Sequence, residues 1–240
     1  MSAANARKVT GAVATVRGAW WAVWSEPSGN GSTLYEARTL DRIVNRRLIP
    51  GSHNTGGQNV QPSLGLRKDG QATLGWIGPD KRMWVATTTG TSPWAARAFE
   101  LTPARAEGYA GPQVVIDGRF TYLAWTANRA SPGPWVTVAD NRTAGNAVGG
   151  FQTQTFNTLG RDPRLVAAGG RVRVVWTTTS GPGRPARAFM ATREGEGAWT
   201  GRYVSPEAAT DQTAAAIAVT SDLTTLILRS SLRLYVRLYD

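Results

Sequence analysis

The sequence contains no cysteine and a single histidine, His53. Disulfide scaffolds, thiolate zinc sites, iron–sulfur clusters, cysteine nucleophiles and multi-histidine metal centres are thereby excluded, and no cofactor or metal is expected. Lysine is scarce as well: Lys8, Lys68 and Lys81 are the only three, so arginine supplies 24 of the 27 basic residues. Acidic residues number 16, which leaves a formal charge of +11. Long apolar runs are missing. No stretch approaches the ~20 apolar residues that span a bilayer as a helix, and the opening Met1–Lys8 lacks the apolar segment of a secretory signal. An extracellular or cell-surface location is therefore expected only if a signal has been removed, and a cytoplasmic one otherwise.

What is present is a chain of 240 residues, 41% hydrophobic with ten tryptophans, which can bury a core without covalent staples. The cationic excess favours polyanions such as nucleic acid, acidic glycans or anionic surfaces. The arginines are nevertheless spread along the whole chain, and Arg46–Arg47 is the only adjacent pair, so no concentrated basic patch is legible. The 27 glycines and 13 prolines interrupt nearly every segment. No 15-residue window keeps an apolar stripe at helical spacing, and very little helix is expected.

The strongest signal is internal. A small polar turn precedes an alternating apolar strand in five places: Arg17-Gly18 before Ala19 to Trp24, Asp69-Gly70 before Gln71 to Trp76, Asp117-Gly118 before Arg119 to Trp125, Gly169-Gly170 before Arg171 to Trp176, and Ser221-Asp222 before Leu223 to Leu228. The terminal residues 24, 76, 125, 176 and 228 are spaced by 52, 49, 51 and 52 residues, the period of a propeller whose blades carry about four short strands each. A small-apolar strand lies upstream of each turn (9–16, 62–66, 112–116, 163–167, 214–219). A third strand lies downstream (34–38, 83–87, 135–139, 188–192, 234–238), and a fourth is expected at 43–49, 94–101, 151–156 and 199–204.

The expected fold is all-β, a single five-bladed β-propeller over 1–240, with repeats at about 9–58, 59–108, 109–158, 159–210 and 211–240 plus 1–8. The fifth repeat has only three strands, and the short N-terminal strand Ala3 to Lys8 is the expected donor of the fourth, closing the ring and hiding its edges. A linear β-solenoid competes, although its coils are usually shorter than fifty residues.

Alternation places Trp24, Trp76, Trp125 and Trp176 at one repeated position, where large flat rings wedge between neighbouring sheets; they are expected to be core. Trp21, Trp84, Trp94, Trp135 and Trp199 do not all share one repeat position. They are the expected ligand-binding aromatics, with Arg38 and His53 beside them, the latter in the glycine-rich loop Gly51-Ser-His-Asn-Thr-Gly-Gly57.

The segment Pro62-Ser-Leu-Gly-Leu-Arg-Lys-Asp69-Gly70-Gln-Ala-Thr-Leu-Gly-Trp76, followed by Met83-Trp84-Val85-Ala86-Thr87, resembles the repeats of sialidase-like propellers of the BNR or Asp-box type. Thr192-Arg-Glu194-Gly-Glu196-Gly-Ala-Trp199 and Thr87-Thr-Thr89-Gly-Thr91-Ser-Pro-Trp94 look like degenerate copies of that family's hairpin motif, Ser/Thr-x-Asp-x-Gly-x-x-Trp. The resemblance covers the chain as five repeats and implies the company of bacterial secreted glycosidases and glycan-binding proteins. Sialidases proper use six blades, an arginine triad, a tyrosine nucleophile with a glutamate partner and an acid–base aspartate, and none of these roles maps onto a residue here.

Asp69, Asp117 and Asp222 recur at the hairpin turn, where a carboxylate capping its own backbone is the ordinary explanation. Glu26, Glu36, Glu100, Asp140 and Asp162 are less repetitive, and Glu26 with Asp162 form the candidate catalytic pair for glycoside hydrolysis, which needs two facing carboxyl groups. The preferred expectation is a non-catalytic, lectin-like glycan-binding propeller. A glycoside hydrolase acting through central carboxylates is the alternative, as is a polyanion-binding or structural ring that is a possible oligomer or part of a larger assembly.

Overall fold

The computed structural model describes residues 11–16, 19–28, 31–38, 47–49, 62–78, 82–88, 94, 99–100, 108–128, 133–142, 151–178, 185–205, 212–219, 223–230 and 233–239. These residues are all-β, with no helix among them and hence none long and apolar enough to cross a membrane. The chain divides into two compact units, Met1–Arg105 and Ala106–Asp240.

The first unit holds two antiparallel four-stranded meanders. One runs β1 (Gly11–Val16), β2 (Ala19–Ser28), β3 (Gly31–Arg38) and β4 (Arg47–Leu48); the other runs β5 (Ser63–Leu66), β6 (Ala72–Ile77), β7 (Met83–Thr88) and β8 (Phe99–Glu100). The strands β1 and β5 pack side by side. Their sheets enclose a core of Trp21, Val23, Leu34 and Ile49 from the first and Leu64, Ala72, Leu74, Trp76 and Ala86 from the second, with Trp94. Side chains on successive residues of a strand point to opposite faces, so Trp21 and Val23 meet the face of the next sheet that carries Ala72, Leu74 and Trp76.

The second unit repeats this arrangement. A seven-stranded sheet joins β9 (Gly108–Asp117), β10 (Phe120–Asn128), β11 (Trp135–Asp140), β12 (Gln152–Ala168), β13 (Arg171–Thr178), β14 (Ala188–Glu194) and β15 (Thr200–Tyr203). The 17-residue β12 serves twice: its first half pairs with β11 as an outermost strand, and its second half pairs with β13 as an innermost one. A three-stranded sheet follows, β16 (Gln212–Val219), β17 (Thr224–Ser230) and β18 (Leu234–Tyr239). Again Tyr122 and Ala124 of one repeat pack against Val172, Val174 and Trp176 of the next, and Val175 of that repeat against Leu226 and Leu228.

The cross-strand register makes the repeat concrete. Trp24 lies opposite Tyr35, Trp76 opposite Trp84, Trp125 opposite Thr137, Trp176 opposite Phe189 and Leu228 opposite Tyr235. Trp76, Trp125 and Trp176 are fully buried as expected, whereas Trp24 is only half-buried. It belongs to the first sheet of its unit, and among the described residues of that unit no sheet precedes the face carrying Trp20, Ala22 and Trp24; the interior position is taken by Trp21 on the opposite face. Close passage around Trp176 demands glycine. A Cβ on Gly160 would stand 2.1 Å from the indole Cδ1 and 2.6 Å from the Thr177 carbonyl.

Of the expected fourth strands at 43–49 and 94–101, the described residues include β4 and β8; 43–46, 95–98 and 101 lie outside the described residues. In the last sheet, Leu234, Val236 and Leu238 of β18 are each more than 60% exposed. The segment expected to pair there, Ala3 to Lys8, lies outside the described residues, as do His53 with its loop and the turn bearing Asp222.

Candidate active site

Asp162 occupies the irregularity that sets the innermost strand of the fourth repeat against its neighbour. Arg161 pairs with Thr177 and Arg164 with Val175, so Asp162 and Pro163 together face Trp176 across a bulge. The third repeat has the same bulge, with Gly111 and Pro112 facing Trp125 between the pairs Ala110–Thr126 and Gln113–Ala124. Both bulges carry a left-handed residue before the proline: Gly111 at φ 61° and Asp162 at φ 56°. Glycine adopts that conformation freely, and aspartate does so at a cost. Asp162 is the one non-glycine residue with positive φ among the described residues.

The Asp162 backbone N–H donates to Thr126 Oγ1 at 3.2 Å, which ties the bulge to β10. Its carboxylate is two-thirds exposed and, among the described residues, meets only the Arg161 guanidinium, 3.9 Å away and equally exposed. A pair that open to water contributes little to stability. A strained backbone thus carries an unencumbered carboxylate into solvent.

Glu26 lies two residues beyond Trp24 on β2, at the same tryptophan-bearing end of its own sheet. Trp24 Nε1 donates to Glu26 Oε1 at 2.6 Å. The Trp24 ring in turn stacks on Tyr35, centroids 6.3 Å apart and planes 29° from parallel, and all three side chains are half-buried. The arrangement offers a carboxylate fixed beside a partly open aromatic face, the pairing of groups that grips a sugar's C–H face while leaving an acid near its ring oxygens.

The other expected ligand residues divide. Trp21, Trp94 and Arg38 come together, but in the interior, at 1%, 3% and 4% exposure. They surround Glu36, whose carboxylate accepts from Trp21 Nε1 and Trp94 Nε1, both at 2.8 Å, and from Arg38 Nη2 at 2.8 Å and Nε at 3.2 Å. Arg38 also lies 3.6 Å above the Trp21 ring. A charge taken out of water is tolerated only when it is paired and hydrogen-bonded, and this one is. The cluster is a structural brace and leaves those three side chains no open face for a ligand.

Trp84, Trp135 and Trp199 remain half-buried. Trp84 stacks on Trp76, and Trp199 meets Phe156 edge-on. Trp199 closes the degenerate hairpin motif, which forms the β14–β15 connection, where Gly197 N donates to Glu194 O.

Two turn aspartates behave differently from one another. Asp69 Oδ1 accepts from Gln71 N within its own turn, as expected. Asp117 Oδ2 instead accepts from Gly170 N at 2.7 Å, capping the turn of the next repeat. Beside it Arg142 reaches Tyr122 Oη at 2.6 Å and the Gly170 carbonyl at 3.1 Å, while Asp140 takes Arg193. Burial pushes the Tyr122 hydroxyl above its ordinary pKa against the pull of Arg142. Among the described residues no group of three or more acids and histidines is placed to hold a metal ion.

No family model and no curated protein sequence matches the chain. Solved structures do match in fold. The polysaccharide lyase Uly1 aligns over 95% of this chain and 57% of its own with a TM-score of 0.51 and 11% identity. A neuraminidase-like protein from a flat-faced bat isolate aligns over 80% and 51%, at 0.51 and 9% identity. An α-L-arabinofuranosidase from Lactobacillus brevis aligns over 96% and 90%, at 0.49 and 11% identity. At such identities the likeness is one of fold, and it is to propellers of glycan-related proteins. The expectation of a non-catalytic, lectin-like glycan-binding protein is corrected here: the fold matches a polysaccharide lyase and a neuraminidase-like protein, each at a TM-score of 0.51.

Proposed function

We propose that the chain is a glycoside hydrolase on a five-bladed propeller, acting on a glycan or polysaccharide through Glu26 and Asp162. The observation that carries this reading is the backbone of Asp162. Where the matching position of the preceding repeat holds Gly111, this one holds an aspartate in a left-handed conformation, with an exposed carboxylate that caps nothing. Non-glycine residues held there cost on the order of 1–3 kcal/mol, and such outliers concentrate at functional sites.

In glycoside hydrolysis one carboxyl group protonates the departing oxygen, and the other attacks the anomeric carbon or activates a water to do so. Glu26, bound by the Trp24 indole, is the other candidate carboxylate, and the Trp24–Tyr35 stack beside it offers a platform for a sugar face. Trp84, Trp135 and Trp199, all half-buried, are the candidates for further stacking surface. The likeness in fold to a polysaccharide lyase and a neuraminidase-like protein supports the class of scaffold. Five meanders in matching register support the blade count.

The test is turnover of a panel of aryl glycosides by the native chain and by Glu26→Gln and Asp162→Asn. Each amide is expected to lower kcat by about 100-fold or more, the scale of a lost acid–base group. Unchanged turnover in both variants removes the pair, and no turnover of any glycoside by the native chain removes the hydrolase reading.

A further inference from the structure

The residue three positions before the repeated tryptophan is Trp21 in the first repeat, Tyr122 in the third and Arg173 in the fourth. Each is almost fully buried. Trp21 gives its N–H to Glu36, and the Tyr122 hydroxyl accepts from Arg142 Nε. Arg173, 2% exposed, breaks the pattern: its Nη1 is buried with no hydrogen-bond partner. The carboxylate on the facing strand is spent elsewhere, since Glu194 is held by Arg171 Nε at 2.9 Å.

Arg173 lines a cavity of about 240 Å³ with Met190, Thr192, Glu194, Thr200, Arg202 and Tyr239. Burial pushes the Arg173 guanidinium below its ordinary pKa, and Arg171 and Arg202 push the same way against a smaller opposing pull from Glu194. Guanidinium does not surrender its proton in a protein, so the charge stays. Two arginines and two threonines line the cavity, with Thr200 Oγ1 donating to the Thr192 carbonyl at 3.4 Å, and the one acid is already paired with Arg171. Tyr239 is fixed by its own hydroxyl, which donates to the Val204 carbonyl at 2.9 Å, and Arg202 lies 5.2 Å over its ring. The volume is below the ~300–1,000 Å³ of pockets for drug-sized ligands, and suits a single small group.

We propose that this cavity is an oxyanion-binding site, taking the sulfate or carboxylate group of a small anion or of an acidic sugar unit. The buried guanidinium supplies the planar fork that matches such a group, Arg202 closes from the exposed side, and the Thr192 hydroxyl donates to a remaining oxygen. The site lies three residues along β13 from Trp176, away from the Asp162 bulge, and stands whether or not the chain hydrolyses glycosides.

Calorimetric titration of the native chain with sodium sulfate and with sodium glucuronate, at ionic strength matched by sodium chloride and with glucose as neutral control, tests it. Saturable binding of sulfate identifies an inorganic or sulfate-ester occupant, and of glucuronate alone a uronic acid. Arg173→Met and the exposed Arg202→Gln are each expected to weaken binding by about tenfold or more, the scale of one charged hydrogen bond, and the remote Arg229→Gln not at all. Without ligand, Arg173→Met is also expected to raise the thermal midpoint, because it removes an unpaired buried charge; a purely structural arginine gives the opposite shift. Absence of saturable binding by either anion overturns the proposal, as does native affinity in both Arg202→Gln and Arg173→Met.

Discussion

Arg38 and Arg173 are both buried arginines on strands of antiparallel sheets, at 4% and 2% exposure, yet they stand in opposite electrostatic circumstances. Arg38 closes on Glu36, and two indole N–H groups complete the carboxylate's shell. Arg173 has its nearest acid already taken by Arg171 and faces a cavity. The first is a brace that gains nothing by opening. The second is a charge carried inside at a cost, which is the condition for a ligand to relieve it.

The largest expected effect comes from breaking the satisfied side of this pair. Glu36→Ala strands the Arg38 guanidinium and the N–H groups of Trp21 and Trp94 in one stroke, and is expected to cost about 3–5 kcal/mol in urea unfolding. Arg38→Met, which leaves the carboxylate two donors, is expected to cost less. Equal losses in the two variants would show that the indoles do not share in holding the charge. On the unsatisfied side the sign reverses: Arg173→Met is expected to stabilise the ligand-free chain by about 1 kcal/mol or more, since an uncompensated charge gives way to an apolar stem beside Met190.

A second stored cost lies in the backbone at Asp162, and Asp162→Gly sharpens its comparison with Gly111. Relief of the left-handed strain is expected to stabilise the fold by about 1 kcal/mol while turnover falls as in Asp162→Asn. Stabilisation with full turnover would make the aspartate an accident of the bulge.

The sequence carried the strands because turn and alternation are local signals repeated five times, four of them ending in tryptophan. It did not carry which face of Ala19 to Trp24 lies inside, since both faces are apolar and only the neighbouring sheet decides between Trp21 and Trp24. Glu36 was visible as an irregular acid, but its partner Trp94 is 58 residues away. The bulge was written in plain sight as Gly111-Pro112 and Asp162-Pro163, 51 residues apart, and becomes meaningful only when the register shows both against a tryptophan. The solitude of Arg173 is a property of what surrounds it, which no window of sequence contains.

The smallest expected effect belongs to an ion pair outside the core. Arg67 grips both oxygens of Asp69, and Gln71 N adds a third hydrogen bond at the β5–β6 turn. The hydrogen bond from Arg67, aided by that from Gln71, lowers the Asp69 pKa from 3.8 to about 2. A depressed carboxylate adds stability that is fully present above its unfolded value near 3.8 and is lost as pH falls through about 2. Because Asp69 is half-exposed, water and salt screen most of that gain, in contrast to the Arg38–Glu36 pair. A carbon-detected NMR titration of the Asp69 carboxyl is expected to show its midpoint near 2, and to return toward 3.8 in Arg67→Gln with little change in the urea midpoint at neutral pH. A large loss of stability in Arg67→Gln would mean that the turn, and not only the buried brace, holds this sheet together.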